Sequence, residues 1–411
     1  MTPLFRKFLG LHWILFASMV LMVAMGIYSI YAAVHFRTDS SAIASQWNTQ
    51  IRWVLIGTLF FFGAALVDYK WIRWACLPLY LAGLGLLAVQ GLKGKDTHDQ
   101  IINMTIGGVS IQAAQLAITG TILLLGVLLG EAHKYIPWLR HYLVRFITAG
   151  LVFAVPFAMV VKQGDLGSAL VMIPIVAVML LVGNIPFRCL IAVTLLGLTA
   201  LPPIYFFKLK DYQQARIQVT IDLLMGRQVD VKGEGYAATN LLIGIGSAGW
   251  DGKGTDPKNL PPGQKSMLQL GLTSKKTAHT DYIFGSAAES FGFRGGSIMI
   301  IGFIFLLTMC LMVSFFARDQ LGRLVVVGIV GLLFAHIFEH IGMNIGLMPI
   351  TGIPLPLISY GGTFMVMNLF LFGLVQSVWV HRNAMVEEAR AKANPQTGRT
   401  GRTLRQAPSF S

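Results

Sequence analysis

A carboxylate closes the one long polar stretch of this chain. Residues 208–283 hold ten of its 32 Lys and Arg residues. They end in Lys275-Lys276-Thr277-Ala278-His279-Thr280-Asp281, directly before an apolar run starting at Tyr282. A carboxylate at the mouth of an apolar bundle, with His279 two residues away and cations upstream, could act as a base on an anionic, lipid-linked molecule. Asp281 is therefore the first residue to explain.

Three further groups could join it. Lys162-Gln163-Gly164-Asp165-Leu166-Gly167-Ser168 separates two apolar runs. Charges at the end of a span are costly when buried alone, so Lys162 and Asp165 are expected as a loop ion pair or as the lining of a polar cavity. Arg216 falls on an amphipathic interfacial helix expected over 212–229, with Ile217, Ile221, Leu224 and Met225 on one face. Arginine grips phosphate bidentately or snorkels to lipid head groups. His336, Glu339, His340 and Asn344 recur at helical spacing within an apolar run. They form either a metal cluster or, more commonly, a polar stripe facing the bundle interior. The stretch 344–362 follows, with three prolines and Gly346, Gly352, Gly361 and Gly362. It cannot be a straight helix, and irregular backbone at membrane depth must be buried in protein or line a cavity.

The elements that position these residues are membrane spans. The chain is 55% hydrophobic and 12% charged, with mean hydropathy +0.66. A soluble domain is nearer 25% charged. The apolar runs are continuous rather than alternating, which excludes a β-barrel. The expected fold is an all-α polytopic membrane protein of about ten helices, near 11–34, 50–68, 73–92, 111–131, 142–162, 167–184, 187–207, 284–316, 324–348 and 362–380. The eighth could begin nearer Gly295, because Gly292 and Gly295-Gly296 interrupt it. The first run is too long for a signal-peptide core and reads as a retained span. Residues 1–383 form the membrane domain, with a loop over 208–283 between helices 7 and 8. Residues 384–411 form a polar tail, expected to be disordered. Within the loop, the Gly-rich stretch 233–254 permits tight turns and close approach to a ligand or another backbone, and Pro261-Pro262-Gly263 reads as a turn.

Charge placement sets the orientation. With the N-terminus in the cytoplasm, Arg6, Lys7, Lys70, Arg73, Lys134, Arg140, Arg145, Arg188, Arg318, Arg323 and the basic tail fall inside. Only Arg37, Arg52, Lys93, Lys95 and Lys162 fall on short outer connections. The positive-inside rule then places both termini in the cytoplasm and the long loop outside. The net charge of +14 is spread between spans, so it addresses membrane lipid rather than nucleic acid. Cys76, Cys189 and Cys310 have no metal-type spacing and read as core residues.

Together these segments resemble the SEDS family (shape, elongation, division and sporulation) over nearly the whole chain. Pro349 to Gly362 is similar to the family's PVTGIPLPxISYGG signature, which includes Ser359. His279-Thr280-Asp281-Tyr282-Ile283-Phe284, followed by Glu289 and Gly292-Phe293, resembles HTDFIFxxxxEExGF. Lys162 to Ser168 resembles KQPDLGT, with Gly164 in place of Pro. Tyr212 to Ile217 resembles YQxxRI. Gly233-Glu234-Gly235-Tyr236, Ile245-Gly246-Ser247 and Gly252-Lys253-Gly254 resemble the Gly-rich loop segment.

The resemblance implies glycosyl transfer in peptidoglycan synthesis, with Asp281 as general base. It implies lipid II as substrate and a class B penicillin-binding protein as partner. Lys162, Asp165, Arg216, His279, Thr280, Glu289, Asn344 and Ser359 are the expected substrate-binding residues. The residues specify no cofactor; a divalent cation (Mg or Mn) is an option at the pyrophosphate. The chain departs from the family at Asn103, where a Trp usually falls, and in the fourth span. There Gln115 and Ile118 replace a carboxylate and a Lys. Lys276-Thr277 replaces Pro-Glu, and Ser290 replaces a second Glu. These losses carry the second reading, a catalytically weakened scaffold or lipid II-binding protein. A precursor flippase ranks third, because a transporter would show broken helices in two repeated halves. The short tail leans to the RodA-like side, but the residues do not separate elongation from division.

Overall fold

The computed structural model describes residues 3–35, 45–92, 104–106, 109–207, 211–227, 235–255 and 277–382, with 209, 229, 266 and 270 besides. Asn103, Pro261-Pro262-Gly263, Lys275, Lys276 and the tail at 384–411 lie outside them.

Long runs of Leu, Ile, Val, Phe, Ala and Met give helices, because only an internally hydrogen-bonded backbone is tolerated in lipid. In chain order they are α1 (Pro3–Leu9), α2 (Trp13–His35), α3 (Gln46–Leu66), α4 (Ile72–Leu92), α5 (Ala113–Val127), α6 (Tyr142–Lys162), α7 (Leu166–Val182), α8 (Phe187–Phe207), α9 (Asp211–Leu224), α10 (Gly235–Gly246), α11 (Ile283–Phe316), α12 (Gln320–Asn344) and α13 (Gly362–His381). Among the described residues, eight stretches are long and apolar enough to cross a membrane. Of the two further expected spans, α7 has 17 residues and α8 runs over Phe187–Phe207. A short antiparallel ribbon, β1 (Met104–Ile106) with β2 (Val109–Ile111), precedes α5 in the otherwise all-α fold.

α12 is the central post, buried along nearly its whole length. Asp319 caps its start, with Oδ1 accepting from Gly322 N at 2.9 Å. Around it pack large buried side chains, including Phe303, Phe372, Ile118, Ile122 and Leu125. α4 and α5 approach through small residues. A Cβ on Gly83 would sit 2.6 Å from Ala117 Cα, and one on Gly120 would sit 2.7 Å from Tyr80 Cα. α8 lies at the edge, with Ile191, Val193, Leu195 and Leu196 exposed as a lipid-facing helix would be.

Two expectations change in detail. The ninth span ends at Asn344, not 348, because residues 345–361 turn into an irregular segment ahead of Pro349. The interfacial helix ends at Leu224; its inward residues are the polar Gln213 and Thr220, while Leu224 and Met225 are exposed. Within the Gly-rich stretch, 235–246 is helical. α11 begins at Ile283, in line with the 284–316 expectation and not the later start at Gly295, and it is interrupted where Gly292 takes φ 66° and ψ −165°.

The break has a partner. Lys253 N donates to Glu289 O at 2.9 Å and Gly254 N to Ser290 O at 2.9 Å. Phe293 N donates to Gly249 O at 2.9 Å and Arg294 N to Trp250 O at 3.2 Å. The loop turn thus satisfies backbone groups that the broken helix leaves open. A Cβ on Gly252 would lie 2.3 Å from Ser290 O, so only glycine allows this approach.

Candidate active site

Asp281 sits one residue before the Tyr282 cap position of α11, and main-chain contacts fix it from two directions. Asn344, the last residue of α12, donates from Nδ2 to Asp281 O at 3.2 Å. Its Oδ1 accepts from Gly285 N at 3.0 Å. Ser359 Oγ donates to Thr280 O at 2.8 Å and accepts from Leu355 N at 2.7 Å. Tyr360 N donates to His279 O at 3.0 Å, and the His279 and Tyr360 rings lie 5.3 Å apart. The Pro/Gly segment is therefore the wall that holds the His279-Thr280-Asp281 backbone.

The Asp281 side chain is half-buried and faces Gly352. A Cβ added to Gly352 would come 3.5 Å from Asp281 Oδ2, and Gly352 has φ 77°, so this position needs glycine on two counts. Burial pushes the Asp281 carboxyl up to about 7, although the Thr280 side-chain hydrogen bond and the Arg216 charge pull the other way. Arg216 on α9 is held by its own donation from Nη1 to Ile350 O at 3.1 Å, with its guanidinium over the Tyr212 ring.

Arg216, Asp165, Gln213, Ile350 and Thr351 line one small cavity of about 70 Å³. Asp165 caps α7 there, with Oδ1 accepting from Ser168 N at 3.0 Å. Burial raises its pKa, against the pull of the Ser168 contacts. A second cleft of about 810 Å³ between α3 and α4 is lined mostly by apolar side chains such as Leu59, Phe60 and Phe370. It lacks the convergent polar groups that chemistry needs.

The expected site residues therefore divide. Arg216 and Asp165 share a cavity beside the Asp281 wall. His279, Thr280, Asn344 and Ser359 hold the backbone there. Lys162 is exposed and makes no ion pair with Asp165, which is committed to its helix cap. Glu289 is drawn away into a buried ion pair with Lys253 Nζ at 2.8 Å, and Ser266 Oγ donates to its Oε2 at 3.3 Å. Gln115 and Ile118 are buried in α5, Ile118 within the main core.

His336, Glu339, His340 and Asn344 form the inward polar stripe, all at most 4% exposed. His340 Nδ1 donates to Ile353 O at 2.7 Å, so the stripe buttresses the wall from behind. No three His, Cys, Asp or Glu side chains converge as a metal site among the described residues. Asp281 meets an arginine and a hydroxyl, which is no cage for a divalent ion.

Sequence reasoning missed Gln50 and Thr351. Gln50 is fully buried; its Nε2 donates to Ser359 O at 3.2 Å, and its Oε1 accepts from Gly361 N at 3.2 Å. An amide inside an apolar run was the available signal. Lys253 gave a comparable one as the lone cation between two glycines.

Known proteins resemble this chain in sequence and in fold. Residues 11–384 match the FtsW/RodA/SpoVE family, described as cell cycle protein. The peptidoglycan glycosyltransferase MrdB of Escherichia coli strain K12 is 32% identical over 235 residues, 57% of this chain and 60% of that protein. This match therefore spans about three fifths of MrdB's length. A probable peptidoglycan glycosyltransferase FtsW of Geobacter sp. strain M18 is 28% identical, covering 91% of this chain and 98% of that protein. Among solved structures, a peptidoglycan synthase complex chain superposes with TM-score 0.71 at 23% identity, covering 90% of this chain and 98% of that one. Thermus thermophilus RodA superposes with TM-score 0.63 at 24% identity, covering 90% and 97%.

Proposed function

The chain belongs to the FtsW/RodA/SpoVE family, and from that premise we propose that it is a peptidoglycan glycosyltransferase that polymerises lipid II. The observation that carries this reading is the half-buried Asp281, raised to about 7, facing Gly352 and within reach of the Arg216 charge. A base with a pKa near ambient pH is best matched to its task.

A β-linked product from an α-linked pyrophosphate donor needs one inverting displacement. Asp281 takes the proton of the acceptor hydroxyl as its oxygen attacks the anomeric carbon. Arg216 supports the charge that develops on the departing lipid pyrophosphate. Thr280, Asn344 and Ser359 keep the Asp281 backbone fixed, so orientation is set before substrate arrives. Asp165 shapes the cavity floor as a cap. The lipid tail lies among the spans and the sugars lie on the side of the long loop. Basic residues concentrated on the other side support an inner-membrane protein with both termini cytoplasmic. The likeness to a chain of a synthase complex supports a class B penicillin-binding protein as partner.

The test is glycan-strand synthesis from purified lipid II by the detergent-solubilised protein with its transpeptidase partner. Wild type should form polymer, and Asp281→Asn, which fills the same volume without a basic oxygen, should form none. Polymer from the Asn variant would sink the mechanism. No polymer from wild type, beside an active control pair, would favour the scaffold reading based on Gln115 and Ile118.

A further inference from the structure

The irregular wall does not hold its own shape. Leu357, within it, has φ 64°, in the left-handed region that residues with a Cβ rarely adopt, and it is almost fully buried. Such a conformation persists only where the surroundings impose it. α2 comes against this residue through a glycine: a Cβ on Gly26 would sit 2.5 Å from Leu357 O. The next residues of the wall are gripped from α3.

Gln50, near the start of α3, makes that grip. Its amide meets two main-chain groups: Nε2 donates to Ser359 O at 3.2 Å, and Oε1 accepts from Gly361 N at 3.2 Å. The same stretch carries the contacts to the loop, where Ser359 Oγ donates to Thr280 O at 2.8 Å and Tyr360 N to His279 O at 3.0 Å. Residues 359–361 are thus a bridge between Gln50 and the two residues that precede Asp281. All four bonds have ordinary lengths.

α3 is itself firmly seated. Gln50, Trp53, Gly57 and Phe61 follow helical spacing along one face, and that face packs on α13. Trp53 leaves no room for a Cβ on Gly362, nor Phe61 for one on Gly373, and a Cβ on Gly57 would meet Leu369 Cδ1 at 2.5 Å. This packing does not call for an amide at position 50. A polar side chain inside a span is expensive, and both bonds of this one go to the wall.

We propose that Gln50 is a positioning residue for the transfer: it sets the 359–361 bridge and, through it, the place of the Asp281 carboxylate beside Gly352. This rests on the reading of Asp281 as base. Gln50 is fully buried, so it acts through its bonds and not on substrate. Without them Ser359 O and Gly361 N lose these partners, and the bridge and the His279–Asp281 backbone move together. A misplacement of about 1 Å can cost about 10²-fold in rate. Arg216 is held at the other end of the wall, by Ile350 O, so pyrophosphate binding stays as it is.

The experiment measures polymerisation of purified lipid II by the full chain with its transpeptidase partner, for Gln50→Met, Gln50→Asn, Phe61→Leu and Asp281→Asn. Met has a similar volume and makes neither bond. Asn keeps an amide one methylene short of both, and is read alone where Met does not insert. Each should lower kcat about tenfold or more with KM within about twofold. Phe61→Leu loosens the same α3–α13 packing away from the bridge, so it should lower the thermal midpoint and leave kcat near wild type. Gln50→Met combined with Ser359→Ala should cost less than the product of the single losses, because both act on one bridge. A loss of kcat in Phe61→Leu equal to that in Gln50→Met would make Gln50 a packing residue and overturn the proposal. A change confined to KM, or single losses that multiply in full, would overturn it as well. Wild-type turnover in the Gln50 variants, with Asp281→Asn inactive, overturns this proposal alone. Activity in Asp281→Asn overturns the base reading beneath it.

Discussion

Replacing Asp281 by Asn should stabilise the protein while abolishing its activity, and the stabilisation should depend on pH. The carboxyl rises from its ordinary 3.8 to about 7 because burial disfavours the charged form. The folded protein therefore holds this proton more tightly than the unfolded chain does. Below about pH 4 both states are protonated and the site costs nothing. Between about pH 4 and 7 only the unfolded chain ionises, so stability falls as pH rises. Above pH 7 both are ionised and the loss is complete, about 4 kcal/mol at 1.36 kcal/mol per pH unit. At pH 5 the loss has reached only about 1.6 kcal/mol. Asn carries no such cost at any pH. The gap between variant and wild type should therefore widen by roughly 3 kcal/mol from pH 5 to pH 8.5, several degrees in midpoint. Tryptophan fluorescence during heating, in one detergent across that range, reads it. A gap independent of pH would refute the claim that an ionised, desolvated carboxylate sits at this position. The same titration governs rate: polymerisation should fall as pH drops through about 7, where the base is protonated.

Other outcomes follow from neighbouring contacts. Arg216→Gln removes the positive charge that holds Asp281 down, so the acid limb of the rate profile should move to higher pH and KM should rise; an unmoved limb would separate the two residues. Lys253→Met leaves Glu289 buried without its cation and should cost about 3–5 kcal/mol, while Lys253→Met with Glu289→Met should recover most of it. Equal melting of the single and double variants would show that the pair contributes nothing.

Most of the span layout was legible because continuous apolar runs allow only helices at membrane depth. The ends were not, because they depend on tertiary partners. α12 stops at Asn344, where the side chain reaches across to Asp281 and Gly285. Asp281 stood out as the one acid at the boundary between the polar loop and a span. Its relation to Arg216 could be guessed only as two charges on the same side. What brings them together is the 345–361 wall, and no local pattern encodes which face of that wall Gly352 presents. Glu289 misled, since a carboxylate eight residues beyond Asp281 looks like a second active-site acid until Lys253 is seen beside it. The polar stripe of α12 faces inward as its spacing implies, but the His340 contact with Ile353 O joins residues that periodicity does not connect.

The interrupted helix α11 changes what counts as a unit of assembly. A peptide group left unpaired in hydrocarbon costs several kcal/mol, so this span cannot be completed by the bilayer. It is completed by residues 249–254, which supply backbone partners on both sides of the break. Insertion of the span and docking of the loop are then a single cooperative event. Damage at Gly252 acts at birth rather than in turnover: it lowers the number of correctly inserted molecules and leaves the chemistry of the survivors intact.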